Sequence, residues 1–171
     1  LAQSTFRKWI EQGEWTKISK TIRKEVAENK RVLNDTNFDL LLYAENQKSG
    51  SKKYNGILDA YAFLATFNKK KTLTVKAQID QGYAAAKLGG YKRAKGYYRR
   101  ALKKTPDKDV DLVMQLVGEL KRLYERSKDY ASLVVIYKRA YSVLKKSSRP
   151  KNEPRTYAYL IGYHQSFHLK Q

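Results

Sequence analysis

Apolar residues recur along this chain at spacings of three and four, the pattern of helices that bury one face. The spacing appears early, in the middle and late in the chain: Ile18, Ile22 and Val26; Ala94, Tyr98, Ala101 and Leu102; Leu133, Tyr137, Ala140 and Leu144. A half-buried strand would show sustained alternation of apolar and polar residues, and no segment does. The sequence therefore predicts an all-α protein.

Short segments rich in Gly, Pro, Ser, Asn or charge separate these apolar faces. The predicted connectors are residues 34–36, 49–53, 69–72, 89–90, 105–109 and 147–154, and they contain all three prolines of the chain. Glycine and proline at such points end helices and form turns. Because the connectors are short, we expect neighbouring helices to be antiparallel.

The middle of the chain carries a spaced set of small, aromatic and proline residues: Gly82, Gly89, Tyr91, Ala94, Tyr98, Ala101 and Pro106. Their relative spacing resembles the tetratricopeptide repeat, a helix–turn–helix of about 34 residues. The resemblance implies that Gly82 and Ala94 face each other where two helices cross, and that Tyr98 fills the space beside them. It also implies that Pro106 ends the second helix.

A second copy of the pattern follows at Leu120, Tyr124, Tyr130, Leu133, Tyr137 and Ala140. Both copies depart from the family. In the first, Gln78 and Gln81 replace large residues and Ala85 replaces an aromatic. In the second, Lys121 replaces a small residue, so we expect a looser helix crossing there.

The resemblance implies a single helical-repeat domain over residues 1–171, built of antiparallel hairpins stacked as a short right-handed solenoid. The expected repeats are 1–35, 36–73, 75–108 and 114–147, followed by a terminal helix at 155–169. Other helical arrays and plain bundles give the same periodicity and remain the alternative. The domain is expected to be part of a longer protein, since the chain begins with Leu1 rather than Met.

Composition narrows the class of protein. With 171 residues, of which 42% are hydrophobic, the chain can bury a core. The absence of cysteine excludes disulfides, a thiol nucleophile and thiolate metal ligands. The longest stretch without Asp, Glu, Lys or Arg is 156–169, too short for a membrane helix. The opening Leu-Ala-Gln fits a signal-peptide cleavage site as well as an arbitrary boundary, so export and the cytoplasm both stay open.

The sequence offers little for catalysis or metal binding. His164 and His168 share a helical face, but no carboxylate lies near them in sequence as a third ligand. Asp107, Asp109 and Asp111 alternate like the start of a calcium loop, without its glycine and closing Glu. They are better explained as acids that cap and charge the start of a helix. No phosphate-binding loop is present. We expect no enzyme activity, no cofactor and no metal.

Positive charge dominates the chain and is unevenly placed. Lys and Arg number 36 against 16 Asp and Glu, for a formal net charge of +20, and residues 1–45 contribute only +1 of it. One predicted helix carries a basic ridge, expected on the convex surface: Lys92, Arg93, Lys95, Arg99, Arg100, Lys103 and Lys104. Such a ridge attracts nucleic acid, acidic polysaccharide, anionic lipid or acidic protein. The alternative is a solvated face that keeps the protein soluble.

The resemblance also implies a ligand groove lined by the first helix of each repeat. Carried over by position, the groove residues are Lys76, Tyr83, Lys87, Gln115, Arg122, Arg126, Tyr159 and Tyr163. This basic and aromatic set indicates an acidic or C-terminal-carboxylate ligand. The sequence thus favours a non-enzymatic protein-interaction scaffold for an acidic protein or peptide. The alternatives are a nucleic-acid-binding helical repeat that uses the basic ridge, and an envelope scaffold contacting an anionic polysaccharide or lipid.

Overall fold

A computed structural model describes residues 3–148, 150 and 152–169, and every regular element in this part of the chain is helical. The prediction of an all-α protein is confirmed. The chain divides into two compact units, Leu1–Ala94 and Lys95–Gln171. The prediction of a single domain and that of a tetratricopeptide-like solenoid both depend on how such units associate. Both stay predictions.

The first unit contains five α-helices and a 3₁₀ turn: α1 (Gln3–Glu11), α2 (Trp15–Ala27), α3 (Asp35–Asn46), α4 (Gly50–Asn68), the turn (Lys71–Leu73) and α5 (Val75–Lys87). Each helix packs on the next along the chain. Phe38 contacts Tyr61 with ring centroids 5.3 Å apart, and Tyr54 contacts Tyr83 at 5.8 Å. These pairings make α3–α4 and α4–α5 antiparallel, as the short connectors predict.

Helix α6 (Tyr91–Lys104) contains the boundary between the units. The second unit continues with α7 (Val110–Arg126), α8 (Tyr130–Lys146) and α9 (Asn152–Phe167). Helix α8 packs on both α7 and α9. The Tyr137 ring lies 5.6 Å from that of Tyr157, and Tyr130 stacks on His168 at 3.8 Å. Helices α8 and α9 are therefore antiparallel.

The predicted apolar faces form the core. The eleven residues that set the helical periodicity are all buried: Ile18, Ile22, Val26, Ala94, Tyr98, Ala101, Leu102, Leu133, Tyr137, Ala140 and Leu144. Burial of each large apolar side chain contributes about 1.5–3 kcal/mol, which makes these faces the main source of stability. Within the described residues, no helix is long and apolar enough to cross a membrane.

Two buried glutamines, Gln78 and Gln81, have a structural role. Gln78 and Gln81 are buried, and each donates from Nε2 to the Thr72 carbonyl oxygen, at 2.7 and 3.1 Å. Gln81 also donates to the Ala77 carbonyl at 3.0 Å. A buried amide needs such partners. Here the hydrogen bonds hold the 3₁₀ turn before α5 against that helix.

Three predicted connectors need correction. Helix α3 begins at Asp35, so the connector predicted at 34–36 is wrong beyond Asn34. Helix α4 begins at Gly50, so the connector predicted at 49–53 is wrong beyond Ser49. Helix α9 begins at Asn152 and holds Pro154 in its first turn, where the missing N–H of proline has no helical partner to lose. Arg149 and Lys151 of that connector, like Leu1 and Ala2 of the opening Leu-Ala-Gln, lie outside the described residues.

The acidic residues at the start of α7 do not cap the helix with a side-chain hydrogen bond as predicted. Asp109 is the N-cap of α7, but its side chain makes no capping hydrogen bond. Asp107 accepts instead from Arg139 on α8, at 2.8 Å. Asp111 lies in the first turn of α7, where its negative charge interacts favourably with the helix dipole.

Candidate functional site

Three of the predicted groove residues lie on α5 in the first unit, and all three are exposed: Lys76, Tyr83 and Lys87. The Tyr83 ring is flanked by Tyr54 and by the Lys87 ammonium, which lies 5.4 Å from its centroid. Lys76 forms an ion pair with Asp80 at 2.9 Å. The α5 surface thus presents an ordered aromatic ring beside a cation.

The other five groove residues belong to the second unit, and all are exposed: Gln115, Arg122 and Arg126 on α7, and Tyr159 and Tyr163 on α9. Tyr163 stacks on Tyr159 at 6.4 Å and on Phe167 at 5.0 Å. Arg122 is paired with Glu119. Each unit therefore carries cations and tyrosines at its surface, and a single groove joining the two sets stays a prediction.

The basic ridge consists of α6 side chains, of which six are exposed. Lys95 is only half-buried, a difference from the expected exposed ridge. Its Nζ donates to Ser127 Oγ at 3.1 Å and lies 5.6 Å from the Tyr124 ring centroid. A cation over an aromatic face is stabilised by the ring, so Lys95 joins α6 to the end of α7.

Three ridge cations line a cleft of about 560 Å³ in the second unit. Its lining comes from α6, α7 and α8: Gly96, Arg99, Arg100, Leu102, Lys103, Leu120, Tyr124, Ser132, Val135, Ile136 and Arg139. The floor is aliphatic and the charged lining residues are all cationic. This combination suits a ligand with an apolar part beside negative charge.

Two polar groups define the electrostatics of this cleft. Arg139 donates to the Thr105 carbonyl at 2.8 Å and pairs with Asp107, which fixes its position. Burial raises the pKa of Tyr124, while the Arg99 charge and a hydrogen bond with Ser132 act in the opposite direction. The tyrosine therefore stays neutral, and the cleft keeps its positive charge at physiological pH.

Sequence reasoning did not find Arg139, Val135 or Gly96. The available signal was the i, i+4 spacing of Val135 and Arg139 on α8, which places an apolar and a basic residue on one face. That signal became meaningful only when Val135 and Arg139 were found to line the same cleft as the basic residues of α6.

A second cleft, in the first unit, surrounds a buried carboxylate. Glu45 is 2% exposed and accepts from Lys48 Nζ at 2.6 Å and Arg23 Nη2 at 3.3 Å. Asp59 also lines this cleft. Lys20 and Lys52 line the cleft as well, so its cations outnumber its carboxylates four to two. Because Arg23 and Lys48 are both bound to Glu45, the centre of the cleft is a structural ion cluster.

The two histidines belong to an aromatic cluster on α8 and α9. His164 is buried, lies 5.5 Å from Tyr130 and 5.2 Å from His168, and has an unpaired Nδ1 among the described atoms. Burial lowers the pKa of His164, the His168 charge lowers it further, and Glu125 opposes both. Within the described residues, no group of three or more His, Asp or Glu side chains could hold a metal ion.

His164 should make the stability of the protein depend on pH. Below its unfolded pKa of about 6.5, the unfolded chain binds a proton that the folded chain resists. Stability is thus expected to be fully present above about pH 6.5 and to fall as pH drops toward the lowered folded pKa. Urea unfolding followed by circular dichroism near neutral pH and at about pH 5.5 measures this loss. The His164→Phe variant should lose less unfolding free energy between the two pH values than the wild type does. An equal loss in both proteins would contradict the role of His164.

Together, the fold and these surfaces define an all-helical protein that exposes cations and tyrosines on both of its compact units. The sequence matches no family model, and it matches neither a curated protein nor a solved structure. The resemblance to the tetratricopeptide repeat therefore rests on the residues quoted for it.

Proposed function

We propose that this chain is a non-enzymatic scaffold that binds an acidic protein or peptide. The observation that carries the proposal is the exposure of all eight groove residues, which combine lysine and arginine with tyrosine rings. Cations attract carboxylates, and tyrosine rings supply apolar contact with little loss of side-chain entropy.

The local order of these side chains supports binding as their role. Tyr83 is held between Tyr54 and Lys87, and Tyr163 between Tyr159 and Phe167. A ring already fixed by its neighbours loses less freedom when a ligand binds. Exposed large aromatics of this kind are typical of interaction surfaces.

Nucleic-acid binding is the second candidate, favoured by the basic ridge. Lys92, Arg93 and Lys104 are exposed on α6 and do not line the cleft. Lysine outnumbers arginine 25 to 11 in the chain, which suits diffuse attraction more than bidentate phosphate recognition. An acidic protein partner therefore agrees better with the residues present.

Two sets of substitutions separate these functions. Tyr83→Ala, Arg122→Ala and Arg126→Ala together remove groove contacts, whereas Lys92→Glu, Arg93→Glu and Lys104→Glu together reverse ridge charges. We expect the groove variant to bind a fluorescent Glu-rich peptide at least about fivefold more weakly, since it loses close contacts. The ridge variant should keep most of its peptide affinity, because distant exposed charges act mainly on the association rate.

A mixed-sequence single-stranded RNA is the comparison probe. Titrations at about 50 and about 200 mM salt distinguish phosphate binding, which weakens steeply as counterions are released. Tight RNA binding by the wild type near physiological salt, lost in the ridge variant, would overturn the proposal in favour of nucleic acid. Absence of binding to any acidic peptide would also contradict it.

A further inference from the structure

The cleft on the second unit has an aliphatic lining that is exposed to solvent at Val135. Four of its lining residues supply this surface: Leu102, Leu120, Val135 and Ile136. Val135 is 66% exposed, although valine usually lies in the interior. Its neighbour Ile136 is 4% exposed, so the cleft leads from an exposed apolar residue down to the core.

Cations surround this floor. Arg99 and Lys103 lie one turn apart on α6, and neither forms a salt bridge among the described residues. Arg100 stands beside them, with its guanidinium carbon 4.9 Å from the Tyr97 ring centroid. Arg139 closes the cleft from α8 and has a buried Nε without a hydrogen-bond partner in the described part of the chain.

Gly96 keeps the space between these cations open. It lies one turn before Arg99 and Arg100 on the same face of α6, and a Cβ there would meet only Arg100 Nη1, at 3.5 Å. A glycine in the middle of a helix costs up to about 1 kcal/mol relative to alanine. Its lack of a side chain leaves room above the floor.

We propose that this cleft receives a large apolar side chain of an acidic peptide segment, with neighbouring carboxylates on Arg99, Arg100 and Lys103. This inference rests on the proposed function. It adds a contact site that lies outside the eight groove residues, and it names the residue type that the partner must carry there. The chemistry is complementary in both respects, because aliphatic lining accepts an apolar side chain and arginine pairs with carboxylate in bidentate geometry.

The same geometry disfavours nucleic acid as the occupant. Bases bind single-strand sites by stacking on exposed aromatic rings. The exposed apolar residue of the cleft is the aliphatic Val135, whereas its one aromatic residue, Tyr124, is only 3% exposed. A peptide carrying leucine or a similar residue among glutamates fits this surface better.

Two peptides of equal charge test the proposal with the full chain. Each is a short run of glutamates around one central residue, which is leucine in one peptide and alanine in the other. We expect the leucine peptide to bind the wild type about tenfold more tightly, since its larger side chain is buried. Gly96→Leu fills the cleft without losing helix propensity and should remove this preference.

Matched variants control for side-chain size and charge. Gly162→Leu adds the same side chain to α9, where a Cβ meets nothing within 4 Å, and should keep the preference. Arg99→Gln with Lys103→Gln should weaken both peptides. Lys138→Gln with Lys146→Gln removes equal charge from exposed positions outside the cleft and should have a smaller effect.

The outcomes separate the two proposals. If neither peptide binds, the proposed function fails. If both bind equally, or if the leucine preference survives in Gly96→Leu, the scaffold function stands and the cleft assignment is overturned. Dodecanoate serves as a competitor of a different class. Displacement of the leucine peptide by dodecanoate at lower concentration than by unlabelled peptide would overturn the assignment in favour of a lipid-like anion.

Discussion

Replacement of Tyr137 by alanine is expected to lower the free energy of unfolding by about 3–5 kcal/mol, the range for truncating a large buried aromatic. The Tyr137 side chain is fully buried on α8. Its ring contacts Tyr157 at 5.6 Å and His164 at 5.9 Å on α9, so truncation leaves a cavity where the two helices meet. Such a loss is large against the stability of a small unit.

Tyr137→Phe is the matched control, and it should be neutral or slightly stabilising. The Tyr137 hydroxyl is buried without a hydrogen-bond partner in the described part of the chain, and burial raises the pKa of this phenol to about 12. Removing an unpaired buried hydroxyl relieves a desolvation cost of about 1–3 kcal/mol. A loss for Tyr137→Phe as large as that for alanine would show that the hydroxyl has a partner.

The two units can be followed separately in such experiments. The chain has two tryptophans, Trp9 and Trp15, and both lie in the first unit. Tryptophan fluorescence therefore reports unfolding of the first unit, whereas far-ultraviolet circular dichroism reports helix loss in both. The effect of Tyr137→Ala should appear in circular dichroism.

Gly56→Ala is expected to destabilise the first unit by about 1–3 kcal/mol, the usual cost of overpacking a core. A Cβ at Gly56 would clash with Glu45 Oε2 and would lie 2.7 Å from Glu45 Cδ and 3.3 Å from Glu45 Cβ. The carboxylate cannot move without leaving Lys48 and Arg23, which hold it in a buried site. In an unhindered helix the same change would stabilise by up to about 1 kcal/mol.

A double-mutant cycle identifies the cause of this effect. Glu45→Ala alone should cost about 1.5–3 kcal/mol, because it removes the buried acceptor of two charged hydrogen bonds whose cations are partly exposed. In the Glu45→Ala background the clash is gone, so Gly56→Ala should become neutral or stabilising. Gly162→Ala, at an exposed helical glycine with nothing within 4 Å, is the control for helix propensity alone. Equal effects of Gly56→Ala in both backgrounds would contradict the contact with Glu45.

Local sequence determined the helices and their buried faces. The three- and four-residue spacing of Ile18, Ile22 and Val26 fixes which side of α2 is apolar, and such a face is buried whatever it packs against. Turn signals are equally local. Gly89, predicted as a turn, adopts a φ of +78°, which glycine tolerates without strain.

Other boundaries were misjudged because the local signals there are weak. Residues 50–53 contain glycine, serine and lysines, all compatible with either a loop or a helix, and the preceding Ser49 adopts the extended conformation from which α4 begins. Packing of α4 on α3 and α5 then favours the helix. Helix propensity alone is too small to decide such a case.

The sequence predicted the cations of the candidate site but not the cleft beside them. The charge run on α6 identified Arg99, Arg100 and Lys103 as an exposed cationic set, because a helix exposes the side opposite its apolar face. That these cations border a cleft depends on Val135 and Arg139, which are more than 30 residues away in the chain. Periodicity contains no information on which helices meet, so this juxtaposition required the tertiary structure.

The buried polar contacts likewise depend on the tertiary structure and not on the local sequence. The sequence of α3 does not distinguish Glu45 from a solvated glutamate, and that of α5 does not distinguish Gln78 and Gln81 from surface amides. Their partners, Arg23 for the carboxylate and the Thr72 carbonyl for the amides, come from other elements. The sequence alone thus determined helix type, helix faces and the surplus of positive charge, since these depend on neighbouring residues. Only the tertiary structure decided which polar groups are buried and which cations surround an apolar cleft, because those properties depend on contacts between distant segments.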